Sequence, residues 1–464
     1  MTPLEPEHLR GPVLAAVAVA VVAPLMAAGL AALGVGRRSP RLLASSAAGL
    51  SFLASLAVCC LWQMGDGLPI EFGERLGGGS LLHIDGLTAV LLPYVTLVVL
   101  AIVLVAPRRM LGTDAAAGTL AGAAASVAIF LTAHPGALVV LWIATVLPTW
   151  SATRGTPGGR PAARVFAIFM TLSLVCMAVG TSLLVVDPPW ARAPGVAGVA
   201  GGWLVAVAVM IRKGIVPFHS WYPALFSGAP MSTALMATMP QVGAYTAIRL
   251  LVGHADGVAA EIVVLSELAL VTAVYGAALT LVQRDLRGFM GTLAMSQSAL
   301  TLAGLSGTLP MELNGAFCMW VSSGLSLTGI GLVSWALESR AGSISLQTPQ
   351  GRFWDAPALA AFFLLFGMAS IGLPGTLSFV ADDLLVSGSL DDRLHAGLMV
   401  IAAAVLCGIA VMRCWFHVFG GATATDGPQH VILLREKAPL AVLFGVLLAL
   451  GLFPGPFVGA LERA

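Results

Sequence analysis

Apolar runs recur along this chain from end to end, each about as long as the 20 or so residues an α-helix needs to cross a bilayer. They fall near 11–34, 42–64, 86–106, 115–134, 136–150, 164–187, 196–222, 231–252, 259–282, 289–307, 314–337, 356–390, 393–419 and 436–458. A water-soluble fold could not hide them. Of the 464 residues, 58% are hydrophobic and 10% are charged, against roughly 25% charged in an ordinary soluble domain. The expected fold is therefore an all-α polytopic membrane protein with about fourteen transmembrane helices. Its obligatory partner is the lipid bilayer. A net charge of +1 gives no footprint for a nucleic acid. The opening residues, MTPLEPEHLR, are not a basic leader, so the first run is expected to stay as a helix.

Basic residues set the expected orientation. Arg37, Arg38, Arg41, Arg108, Arg109, Arg154, Arg160, Arg164, Arg284, Arg287, Arg340 and Arg352 follow runs 1, 3, 5, 9 and 11, and Arg435 and Lys437 follow run 13. The opposite loops hold mainly Arg75, Arg192 and Arg393. The odd loops are thus expected on the cytoplasmic side and the N-terminus outside. The outer stretch from Gly65 to Gly86 carries Pro69, Gly77 to Gly79 and His83-Ile84-Asp85-Gly86. It reads as a hairpin or ordered loop that caps the bundle, with a structural role.

Two long runs are interrupted alike. Run 7 contains Arg212-Lys213-Gly214-Ile215-Val216-Pro217-Phe218-His219, and run 12 contains Gly372-Leu373-Pro374-Gly375-Thr376 ahead of Asp382-Asp383. Proline removes a backbone donor and clashes with the preceding turn. Inside a membrane the freed carbonyls survive only in protein or beside a wet cavity, so Pro217 and Pro374 are expected to face protein. Paired interruptions of this kind point to an ion path. They lie five runs apart, an odd number, which predicts two inverted five-helix repeats with discontinuous helices 7 and 12. The expected units are 1–114 (helices 1–3 and the external loop), 115–252 and 259–419 (the two repeats), and 436–464 (a final helix).

Charge at membrane depth costs about 2.5–3.5 kcal/mol or more, so such residues are functional candidates. Arg212, Lys213, Asp382, Asp383 and Glu267 qualify, and for the two cations snorkelling to an interface is the alternative. Asp382 and Asp383 point about 100° apart on a helix, so both cannot line one path. Gln241, Ser296, Gln297, Ser322, Ser323, Ser326 and Thr328 could hold a water chain, or simply join helices. The six cysteines form no CxxC pair or metal-ligand spacing. There is no phosphate-binding glycine loop and no iron–sulfur pattern. No cofactor, metal or catalytic constellation is expected on this chain, and any redox chemistry would sit on a partner.

Three stretches carry a family resemblance: Val216-Pro217-Phe218-His219-Ser220-Trp221 through Gly228-Ala229-Pro230 to Tyr245, Ser323-Gly324-Leu325-Ser326 through Glu338-Ser339-Arg340, and Leu373-Pro374-Gly375-Thr376 with Phe379-Val380. Across about residues 80–420 the chain resembles the antiporter-like membrane subunits of respiratory complex I, shared with Mrp-type Na+/H+ antiporters and membrane-bound hydrogenases, the M-type subunit above all. The resemblance implies a proton path along the bilayer midplane through charged residues. A glutamate on helix 5 would pair with a lysine on helix 7, but here Ile143 stands at the first position and Arg212, beside Lys213, at the second. The remaining positions fall on Gln241 (helix 8), Gln297 and Ser323 (helices 10 and 11) and Asp382 (helix 12), with His219 in the helix 7 block. Arginine stays protonated, so Arg212 cannot shuttle a proton as lysine can. The resemblance implies a proton-conducting subunit working beside other membrane subunits and a soluble catalytic or zinc-binding subunit, in the cell (inner) membrane. An alternative is the energy-coupling membrane subunit of a DAB-type inorganic carbon (CO2/bicarbonate) transporter driven by the proton gradient. A scaffold that no longer conducts is a third reading, which the retained buried charges disfavour.

Overall fold

The computed structural model describes residues 6–34, 40–73, 80–107, 113–187, 195–252, 260–307, 309–421 and 432–461. Gly77 to Gly79 and Arg37, Arg38, Arg75, Arg108, Arg109 and Arg192 lie outside the described residues. The first half holds α1 (Pro6–Ala32), α2 (Pro40–Met64), α3 (Gly86–Val105), α4 (Thr113–Ile129), α5 (Pro135–Gly155), α6 (Arg160–Val186) and α7 (Val196–Lys213). Three short pieces follow: α8 (Trp221–Gly228), α9 (Met231–Thr238) and α10 (Val242–Leu251). The second half holds α11 (Ala260–Leu281), α12 (Leu286–Ala303), α13 (Pro310–Ala341), α14 (Pro357–Ala369), α15 (Leu377–Asp392), α16 (Leu394–Phe419), α17 (Leu434–Leu452) and α18 (Pro454–Leu461).

Among the described residues, nine helices are long and apolar enough to cross a bilayer, or ten if the bent pair α17–α18 is one span. That is fewer than the fourteen expected. The difference falls on α4, on α12 with its polar Ser296, Gln297 and Ser298, and on segments divided into short helices. A divided span is too short in each piece to qualify by length.

Helices pack in two matching sets. In the first, α4 packs on α5, α5 on α6, and α6 on both α7 and α8, with α9 against α4 and α5. In the second, α11 packs on α12, α12 on α13, and α13 on both α14 and α15, with α16 against α11 and α12. Between them stands α13, 32 residues long and buried without interruption from Asn314 to Leu337. A helix buried all round belongs at the centre of a bundle, and α13 touches α3, α9, α12, α14, α15 and α17.

The stretch before α3 forms the expected hairpin. Its strands β1 (Ile70–Phe72) and β2 (Leu82–Ile84) pair antiparallel, with Glu71 opposite His83. Asp85 caps α3 by accepting from the Thr88 amide, and it takes a two-pronged ion pair from Arg249 at 2.6 and 2.8 Å. Burial opposes its charge, but hydrogen bonds from His83 and Arg249, the Arg249 charge and the Thr88 amide hold its carboxyl well below the usual carboxylate range. The hairpin is thereby pinned to the end of α10. At the other end of α13, Arg287 pairs with Glu338 at 2.8 Å and Arg340 with Glu436 at 2.6 Å.

Candidate ion-conduction site

The first break follows α7. Gly214, at φ +68°, ends the helix in the left-handed conformation that glycine tolerates. Trp221 Nε1 then donates to the Ile211 carbonyl at 2.8 Å, and Thr272 Oγ1 accepts from the Val216 amide at 3.0 Å. The backbone groups freed by the break are thus satisfied by side chains. Arg212 and Lys213 form the last turn of α7 and both are buried. Positive charge there complements the helix dipole, but it does not replace a counter-ion. Among the described residues neither cation has a carboxylate within ion-pair distance.

The two cations diverge. Arg212 Nη2 donates to Thr145 Oγ1 at 2.7 Å, Nη1 faces Met170 Sδ at 3.5 Å, and the guanidinium lies 5.3 Å from the centre of the Trp142 ring. Ile143 instead lines a groove of about 300 Å³ between α5 and α6 with Trp142, Val146, Trp150 and Met170. Where a helix 5 glutamate was implied, a hydroxyl and an aromatic face hold the charge. Lys213 turns the other way. Its Nζ donates to Gln241 Oε1 at 2.5 Å, and Gln241 Nε2 donates to Ser323 Oγ at 3.2 Å and to the Trp320 carbonyl at 3.4 Å. Lys213, Gln241 and Ser323, all buried, make one polar line from α7 to the middle of α13. Gly243 permits it, because a Cβ there would stand 2.8 Å from Lys213 Cγ.

Gln241 occupies a third break that the sequence reading missed. Its φ is +54°, between α9 and α10. Tyr94 Oη donates to the Met239 carbonyl at 2.5 Å, and Trp320 Nε1 donates to the Pro240 carbonyl at 3.2 Å. The signal was present: Pro240 and Gly243 flank Gln241 inside an apolar run.

The second expected break separates α14 from α15. Gly372 and Gly375 both take positive φ, at +85° and +88°. The Asp382 carboxylate lies against Gly372, where a Cβ would stand 2.5 Å from Oδ2. Asp383 is exposed while Asp382 is half-buried, as their angular separation on the helix requires. Pro217 and Pro374 both sit in interrupted turns. Contrary to expectation, each is exposed on this chain rather than facing its interior. A proline ring has no N–H to satisfy, so it can turn outward while the freed carbonyls are bonded inside.

The other candidates stand apart from the Lys213 line. His219 packs edge-on against Tyr275 at 5.1 Å, and its buried Nδ1 has no hydrogen-bond partner. Gln297 is buried on α12 with Oε1 unpartnered. Glu267 has no basic neighbour in sequence, yet it pairs with Arg393 at 3.1 Å and lies 3.1 Å from His395 Nε2.

Broken helices closed by side chains around buried, unpaired charge define a class: polytopic membrane proteins that handle ions inside the bilayer. The family described as NADH:quinone oxidoreductase/Mrp antiporter, TM, matches residues 166–410, more than half of the chain, and the chain belongs to it. NADH-quinone oxidoreductase subunit 13 of Thermus thermophilus is 27% identical over 472 residues, covering 96% of this chain and 97% of that one. NADH-quinone oxidoreductase subunit M of Mycobacterium tuberculosis is 26% identical over 57% of this chain, and the match spans 48% of that protein. The chain thus spans about half the length of several curated relatives it matches. Two solved assemblies share the fold over 96% of this chain: respiratory complex I from Thermus thermophilus (TM-score 0.85, 22% identity, 97% of that chain) and the Mrp complex from Dietzia (TM-score 0.84, 19% identity, 96% of that chain). The inorganic-carbon alternative gains no support from these comparisons.

Proposed function

We propose that the chain is the proton-conducting, antiporter-like membrane subunit of a multi-subunit ion-translocating complex resembling NADH:quinone oxidoreductase. The observation that carries the reading is the buried Lys213–Gln241–Ser323 line, which links the first broken helix to the central α13. A lysine can give and take a proton, whereas Arg212 beside it is a fixed charge. Lys213 is the titrating group of the first half and Asp382 that of the second. Gln241, Ser323 and Gln297 support water between them, and His219 stands beside the first break. Asp383 and Glu267 serve at the periphery, facing a partner or the outer solution. The conducting units are 115–252 and 259–419, flanked by 1–114 and 436–464. Subunits of solved membrane complexes share this fold, so other membrane subunits are the expected neighbours, with a soluble catalytic or zinc-binding subunit, in the cell inner membrane.

The test is proton transport by the complex purified with its native partners, identified by mass spectrometry and reconstituted in liposomes. Assembled Asp382→Asn complex should transport no protons. Wild-type transport by an assembled Asp382→Asn, Asp383→Asn double variant would sink the reading.

A further inference from the structure

The outer end of α13 buries an acid that the route above does not use. Glu312, in the first turn of α13, has a fully buried side chain. Its Oε1 accepts from Ser389 Oγ of α15 at 2.5 Å and from Arg393 Nη2 at 3.2 Å. Its Oε2 is buried with no hydrogen-bond partner. That oxygen lies directly over Gly307, where any Cβ would collide with it. A Cβ on Gly388 would stand 2.7 Å from Glu312 Cγ, and one on Gly304 would stand 2.6 Å from the Glu312 carbonyl oxygen. Three glycines from two segments therefore clear the space that one glutamate fills.

Packing alone does not account for this. A buried ion pair is often no more stable than an apolar replacement of the same volume. A buried polar atom without a partner is itself destabilising. The surroundings do suit proton exchange. Outward, Arg393 Nη1 also donates to Glu267 Oε1 at 3.1 Å and to Ser306 Oγ at 2.7 Å. Glu267 in turn meets His395, whose side chain is 60% exposed. Inward, Ser389 stands seven residues beyond Asp382 on α15, which puts the two on one face about 10 Å apart. Ser378, four residues before Asp382 on that face, has a buried Oγ without a partner.

We propose that Glu312 is the outer terminal proton site of the second half. It receives a proton from Asp382 by way of water along the Ser378–Asp382–Ser389 face of α15. It passes that proton to Glu267 and His395 at the surface. Each transfer leaves the donor one proton poorer and the acceptor one richer, and no electron changes hands. Arg393 bridges the two carboxylates and holds them within reach of each other. The inference rests on the proton-conducting reading above.

The test uses the tagged chain purified with its native partners in liposomes, where a potassium diffusion potential drives protons past an internal pH dye. Glu312→Gln should assemble and conduct at least about tenfold more slowly. Glu312→Asp should recover part of the rate, and Ser389→Ala should lower it several-fold. The infrared carbonyl band of a protonated carboxylic acid should change with pH in the wild type and vanish in Glu312→Gln. A Glu312→Gln complex conducting at the wild-type rate, beside an Asp382→Asn complex that does not conduct, would overturn this site and leave the proposed function standing. Wild-type conduction by Asp382→Asn would overturn both. Should Glu312→Gln fail to assemble, unchanged conduction in Ser389→Ala together with no band assignable to a labelled glutamate would overturn the site.

Discussion

The two expected breaks share a design and differ in charge. After α7, a left-handed glycine stops the helix above two buried cations that have no carboxylate partner among the described residues. Between α14 and α15, two left-handed glycines open a turn against a single aspartate. The first break is sealed by Trp221 and Thr272, and its cations reach into other helices. The second keeps its carboxylate within its own turn, against Gly372. An interrupted helix therefore supplies free backbone and room, and the charge placed beside it decides what the break does. One half buries two cations and links one of them, Lys213, to α13 through Gln241. The other half sets one carboxylate, that of Asp382, beside its break.

The sharpest way to break this contrast is to neutralise one titratable group on each side. Lys213→Met and Asp382→Asn should each abolish proton transport in liposomes while pull-down shows intact assembly. Survival of transport in Lys213→Met would confine the route to the second half, and survival in Asp382→Asn would overturn the proposed route. Arg212 separates fixed from mobile charge: Arg212→Ala should lose transport, and Arg212→Lys should keep a part of it, measured in the same liposomes. A paired arginine should behave differently. Arg249→Ala strands the buried Asp85 and should cost about 3–5 kcal/mol in detergent unfolding, where Arg212→Ala acts mainly on transport. Asp85 also sets a pH window. It ionises near about pH 3.9 in an unfolded chain and well below that in the fold. Its contribution is therefore full above about pH 4 and is lost as the pH falls through the folded value. Asp85→Asn should flatten the acid limb of the unfolding profile below that pH. The smallest effect belongs to Thr145→Val, which removes the Arg212 acceptor and should cost about 1–3 kcal/mol by the same unfolding measurement.

Much of this was legible because the bilayer imposes strict rules. Span length, proline beside glycine, and charge within an apolar run are local signals, and they located both expected breaks, the buried Arg212 and Lys213, and the half-buried Asp382. What stayed hidden were partners far away in sequence. Arg212 meets Thr145 across 67 positions, Lys213 meets Gln241 across 28, and Glu267 meets Arg393 across 126. Nothing in a run of residues announces such pairs. The break at Gln241 was a different failure, since its proline and glycine obeyed the same rule but lacked a neighbouring charge to draw notice. Glu312 was overlooked because it opens a helix, where an acid is ordinarily a favourable end residue.

The unbroken α13 acts as a phase reference for the molecule. At about 1.5 Å per residue, its 32 residues run about 48 Å, well past a hydrocarbon layer of about 30 Å. Glu312 marks one end, Ser323 the middle and Glu338 the other end, and each is engaged by a different neighbour. One rigid rod thus fixes the angular bearing of three polar contacts. A single residue inserted between Ser323 and Glu338 would turn the two ends about 100° out of step. The rod could then satisfy Gln241 or Arg287, but not both.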